Sequence, residues 1–147
     1  PPKFEGDYVG SIFFVNDDPD NPNQYLQTLE LLTLVFYDID IDDLEVGFTF
    51  STLDPGVIAL ASGMNNNCES NILIDIREWN KASYSEKLFI IMHELGHDLF
   101  NLKHSDGLRL MATTKYKISK PEELGEIIHE MLYYVKSSLS EESYSCN

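Results

Sequence analysis

Three of the chain's four histidines fall within twelve residues, as His93-Glu94-Leu95-Gly96-His97 and then His104. On a helix, His93 and His97 project from one face about one turn apart. Two imidazoles at that separation can share one Zn²⁺ at about 2.0–2.1 Å each. Glu94 is turned by roughly 100° from His93, which puts its carboxylate beside such a metal rather than on it. There it can take a proton from an attacking water. His104 offers a third imidazole, provided the helix ends before it. A histidine on a helix is ordinarily a surface or core residue, and that reading has to be set against the metal. His93 and His97 lie off the apolar stripe formed by Leu88, Ile91, Met92, Leu95 and Leu99, so burial does not explain them. Gly96 costs about 1 kcal/mol against alanine inside a helix. Its presence implies the close approach of another backbone segment.

The elements that must hold these residues are legible around them. Ser83-Tyr84-Ser85-Glu86 fits a capping box, and a helix is expected over residues 84–100. A last helix is expected from Pro121 to Ser138, with Leu124, Ile127, Ile128, Met131, Leu132 and Val135 inward. A first helix should open at Asn21-Pro22, a cap followed by proline in the first turn, and run to about Tyr37. It is apolar nearly all round, so it is expected buried behind a sheet. Strands are expected over 8–15, 45–51, 57–61 and 71–77, the last with Ile72, Ile74 and Ile76 on one face. Asp54-Pro55-Gly56 and Gly63 to Ser70 are turn-like. The order predicts one α+β domain over 1–147: a mixed twisted sheet with a backing helix, an active-site helix and a C-terminal helix.

Composition removes several alternatives. Ten Lys and Arg against 25 Asp and Glu give a net charge of −15, which repels phosphate backbones and anionic membrane surfaces. No nucleic-acid partner is expected. No apolar run approaches the roughly 20 residues of a spanning helix. The opening Pro1-Pro2-Lys3-Phe4 reads as the start of a mature or trimmed chain. Cys68 and Cys146 stand either as free thiols or as one long-range bridge. Neither lies in a C-x-x-C spacing, so a cysteine zinc site is excluded. Asp17, Asp18 and Asp20, or the run Asp38-Ile39-Asp40-Ile41-Asp42-Asp43, offer oxygen ligands for Ca²⁺. The run lacks the glycine and terminal glutamate of an EF-hand loop, and a solvated acidic surface is the better reading of both.

The segment His93-Glu-Leu-Gly-His-Asp-Leu-Phe-Asn-Leu-Lys-His104 resembles the zinc signature of metzincin metalloproteases, H-E-x-x-H-x-x-G-x-x-H with a downstream Met-turn. The order of backing helix, sheet, active-site helix, Met-turn and C-terminal helix is similar too. The resemblance implies zinc on His93, His97 and His104, with Glu94 as general base and Met111 packed beneath the imidazoles. It also suggests Tyr116 as a tyrosine near the metal. Two departures stand out: His97 and His104 are seven residues apart where the family has six, and the family's turn glycine is absent. Asn101 is the best substitute, since asparagine tolerates the left-handed conformation.

These residues predict a monomeric, exported (extracellular or periplasmic) zinc endopeptidase acting on peptide or protein substrates. The competing reading is a non-catalytic zinc-binding or interaction module on the same scaffold. Competing third ligands are Asp106 and the last helix's Glu122, Glu123 and Glu126, as in gluzincins; His129 reads as a helix-surface residue. An edge strand, Val57–Ala61 or Asn71–Arg77, is expected to align an extended peptide.

Overall fold

The computed structural model describes residues 20–41, 43–112 and 121–140. The expected strand over 8–15, and Asp17, Asp18, Asp42, Tyr116 and Cys146, lie outside the described residues.

Helix α1 spans Pro22–Tyr37. Asn21 caps it, its side-chain oxygen accepting from Asn23 N at 3.1 Å, and Pro22 occupies a first-turn position that needs no N–H donor. Tyr25, Leu29, Leu32 and Tyr37 form its buried face. The helix is expected buried behind a sheet, and its burial is only one-sided. Leu31, Leu34 and Val35 are 47, 53 and 63% exposed, because only one side of the helix meets its neighbours. At Asp38 the chain enters the left-handed region, with φ 54°, and turns. Beyond it Ile39 and Ile41 are both buried while Asp40 is exposed. The period-two alternation thus sends isoleucines inward and aspartates outward, which is what a solvated acidic edge requires.

Three strands follow: β1 Glu45–Ser51, β2 Ala59–Ala61 and β3 Glu69–Asp75. Their order is β1-β3-β2. β1 runs parallel to β3, pairing Phe48 with Ile72 and Phe50 with Ile74. β2 runs antiparallel to β3, pairing Leu60 with Leu73. β2 starts two residues later than expected, since Val57 N–H bonds to Asp54 O at 3.0 Å in the preceding turn. β3 ends earlier than expected. The Asp75 carboxylate accepts from Arg77 N at 2.9 Å and Glu78 N at 3.2 Å, and this cap starts a short helix, α2, over Ile76–Lys81. Ile72 and Ile74 point into the core as expected. Ile76 belongs to the helix and is 36% exposed, so the three isoleucines do not share a face.

Helix α3 spans Tyr84–Phe100. Its capping box is complete: Ser83 Oγ accepts from Glu86 N at 3.2 Å, and Glu86 Oε1 accepts from Ser83 N at 3.3 Å. Helix α4 spans Pro121–Ser138. All six of its expected inward residues are buried, as is the α3 stripe from Leu88 to Leu99. α3 therefore lies at the centre, between the sheet, α1 and α4. The described residues form a mixed α+β fold, and none of their helices is long and apolar enough to cross a membrane.

Candidate metal centre

What brings His104 back to the first two histidines is the end of α3. In a continuous helix, residues seven apart are separated by about 10.5 Å along the axis. Here Asn101 adopts φ 54°, ψ 35°, a left-handed conformation that asparagine tolerates. Its N–H and that of Leu102 both bond to the Gly96 carbonyl, the latter at 3.1 Å. Leu102 is buried and anchors the reversal. Asp106 Oδ2 then accepts from Lys103 N at 2.7 Å, steadying the 3-10 turn His104–Asp106.

The three Nε2 atoms converge. They lie 3.2 Å apart for His93 and His97, 3.1 Å for His97 and His104, and 3.3 Å for His93 and His104. Backbone carbonyls fix two of the tautomers. His93 Nδ1 lies 2.6 Å from Leu110 O, and His97 Nδ1 lies 2.7 Å from Leu102 O. A carbonyl only accepts, so each Nδ1 carries the proton and each facing Nε2 presents a lone pair. Lone pairs packed this closely repel one another unless a cation sits between them. Tetrahedral nitrogen ligands at 2.0–2.1 Å stand about 3.3 Å apart, so the spacing fits a divalent metal ion. Burial pushes the His93 imidazole down to about 4, against the upward pull of Leu110 O, with the other two histidines lowering it further. It is neutral, as a ligand must be.

Glu94 stands outside this group of three but lines the same cleft and is buried. Without a metal's charge nearby, burial and then the Asp98 carboxylate push its carboxyl up to about 7, while the Ala61 backbone N–H holds it down. A neighbouring cation favours the carboxylate. Met111 is fully buried. A Cβ on Gly96 would meet Met111 Sδ at 2.7 Å and Met131 Sδ at 3.1 Å. The close approach implied by Gly96 is therefore real, but methionine side chains make it, not a backbone segment. The 3-10 turn Arg109–Met111 that carries Met111 also supplies Leu110 O to His93. Glu130 of α4 fixes that turn, accepting from Arg109 N at 3.1 Å and from its guanidinium at 3.0 and 3.2 Å.

A cleft of about 750 Å³ lies over the histidines, between the Gly56–Gly63 segment and α3. Among the described strands, β2 is the edge strand bordering it. Ile58 O accepts from Asp75 N at 2.9 Å and Ser62 N donates to Asn71 O at 3.2 Å. Even-numbered residues of this segment thus bond to β3, and antiparallel alternation turns the backbone groups of Ala59 and Ala61 the other way. Of the two strands expected to border the site, Val57–Ala61 is at the edge. β3 is central.

The remaining expected site residues lie elsewhere. Asp106 is committed to its turn, and Glu123 and Glu126 do not belong to the ligand group. The side chain of Glu122 is outside the described residues. His129 is partly buried rather than a plain surface residue, its Nδ1 hydrogen-bonded to Tyr37 OH across the α1–α4 contact. Asp20 is paired with Lys87 at 2.7 Å. Cys68 is not a free thiol but part of a disulfide.

Sequence reasoning missed Asp98, Glu130 and the carbonyls of Leu102 and Leu110. Only Asp98 left a sequence signal: it follows His97 and stands one helical turn after Glu94. No family model matches the chain, and no curated protein or solved structure matches it.

Proposed function

We propose that the chain is a zinc-dependent endopeptidase on a metzincin-like scaffold, with His93, His97 and His104 as the ligands and Glu94 as the general base. The observation that carries this reading is the convergence of three imidazole Nε2 atoms beside a buried carboxylate in an open cleft. An all-imidazole set suits zinc, and three protein ligands leave a position open, as catalytic sites require. When bound, zinc supplies Lewis-acid polarisation of the scissile carbonyl and eases deprotonation of the attacking water. Glu94 accepts that water's proton on a carboxylate oxygen and delivers it to the departing amine nitrogen. The outward backbone of Ala59 can pair with an extended peptide, which sets the scissile bond against the histidines. The disulfide at Cys68 agrees with an exported protein.

A non-catalytic metal module would call for a fourth protein ligand to close the site. Among the described residues the group has three, and a closed site has no use for Glu94. The test is cleavage of an unfolded protein substrate by the zinc-loaded chain and by Glu94→Gln. The wild type should cleave and lose cleavage on chelation. The variant should bind one zinc and cleave at least about 10²-fold more slowly. Turnover near wild type in Glu94→Gln would remove Glu94 from the mechanism. Zinc binding with no cleavage by the wild type would favour the module.

A further inference from the structure

Asp98 follows the ligand His97, yet its side chain is turned away from the metal group. It is 3% exposed, and its Oδ1 accepts from Gly63 N at 2.7 Å. Gly63 lies just past the end of β2, with φ +81°, in the turn where the chain leaves the edge of the cleft. Oδ2 is buried with no hydrogen-bond partner. Ser70 Oγ is likewise buried without a hydrogen-bond partner among the described residues.

The arrangement is periodic on both sides. Glu94 and Asp98 are four apart on α3 and so share a face. The backbone amides they hold, Ala61 and Gly63, are two apart and point the same way off the strand edge. One turn of the metal-bearing helix thus grips one two-residue repeat of the edge strand. Among the described residues β2 has three residues in the ladder and pairs with β3 alone, so its own pairing defines its position weakly.

We propose that Asp98 is a positioning residue for substrate. By holding Gly63 N–H it locks the end of β2 to the helix that carries His93 and His97. This fixes how far the outward N–H and C=O of Ala59 stand from the three imidazoles. A peptide pairing with Ala59 is then delivered with its scissile bond at the right distance from the metal and Glu94. The inference rests on the peptidase reading for its consequence but not for the clamp itself, which is a statement about Gly63 and α3. Asp98 touches neither metal nor substrate, so its loss should act on substrate binding.

Two readouts separate the clamp from the activity. The first is amide hydrogen exchange at Gly63 in wild type, Asp98→Ala, Asp98→Leu and Asp98→Asn. Asp98→Leu fills the same volume without an acceptor and serves where alanine does not fold. Asparagine keeps an acceptor oxygen at the Oδ1 position. Gly63 should exchange at least about 10-fold faster in the Ala or Leu variant, with α3 still protected, and at the wild-type rate in the Asn variant. The second is steady-state kinetics on a peptide, with zinc content measured alongside. The Ala or Leu variant should bind one zinc and show KM raised about 10-fold, and Asn should restore KM. Gly63 exchange that ignores the loss of the carboxylate overturns the clamp. So does a fall in kcat at constant KM, or a failure of Asn to rescue. If the wild type cleaves nothing, the peptidase reading falls, while the exchange measurement still decides the clamp.

Discussion

At the residue scale, two of the three converging imidazoles are held from behind by backbone carbonyls. Leu110 O and Leu102 O fix the protons of His93 and His97 on Nδ1, so both rings meet a cation with a lone pair already aimed. His104 is different: it is exposed and is brought to the site by the chain reversal. Its removal should therefore cost metal affinity without disturbing the core. His104→Ala should weaken zinc binding strongly and abolish cleavage, with thermal stability of the metal-free protein unchanged. His129→Ala removes the contact to Tyr37, so it should lower stability and leave zinc affinity as it was. Zinc titration followed by calorimetry on the two variants checks both. Equal zinc affinity in wild type and His104→Ala would take His104 out of the site.

At the scale of elements, how far the sequence spoke depended on how local the physics was. Helix α3 was legible from Ser83-x-x-Glu86 to Asn101, because a capping box at one end and an αL-tolerant residue at the other are local chemistry. The same holds for α4, whose inward residues recur at helical spacing. Helix α2 was not legible: Ile72, Ile74 and Ile76 keep a strand's period across its start. What stops the strand is Asp75, whose carboxylate caps α2 and also accepts from Leu53 N at 2.9 Å, a residue distant in sequence. The candidate site divides the same way. Its three converging histidines were legible from a spacing. Glu130 and the role of Met131 depend on where α4 docks, which no local pattern encodes. Asp75 yields a pH dependence. The Leu53 N–H bond, foremost, and the cap amides hold its carboxyl down at about 2 from 3.8, against the effect of burial. The folded value lies below the unfolded one, so the stabilisation is complete above pH 3.8 and is lost as pH falls toward about 2. Denaturant midpoints across that range should fall more steeply for wild type than for Asp75→Asn. Parallel slopes would show that Asp75 is not held this way.

Across the whole molecule, α3 is the axis on which the other parts depend. Its stripe from Leu88 to Leu99 fills the core, while its other face carries His93, Glu94, His97 and Asp98. Gly96 admits Met111 and Met131 against the helix, which ties α3 to α4. The sheet contributes an edge strand and the C-terminal half contributes the turn that orients His93. A chain of net charge −15 carries a centre whose three imidazoles lie close enough to hold a metal ion. The most direct test of the central claim is a crystal of the zinc-loaded protein, with anomalous scattering recorded on both sides of the zinc edge. One strong peak should stand equidistant from the Nε2 atoms of His93, His97 and His104, at about 2.0–2.1 Å from each, with no fourth protein ligand. A peak held by Glu122, Glu123 or Glu126 in place of His104, or a fourth side chain closing the shell, would contradict it.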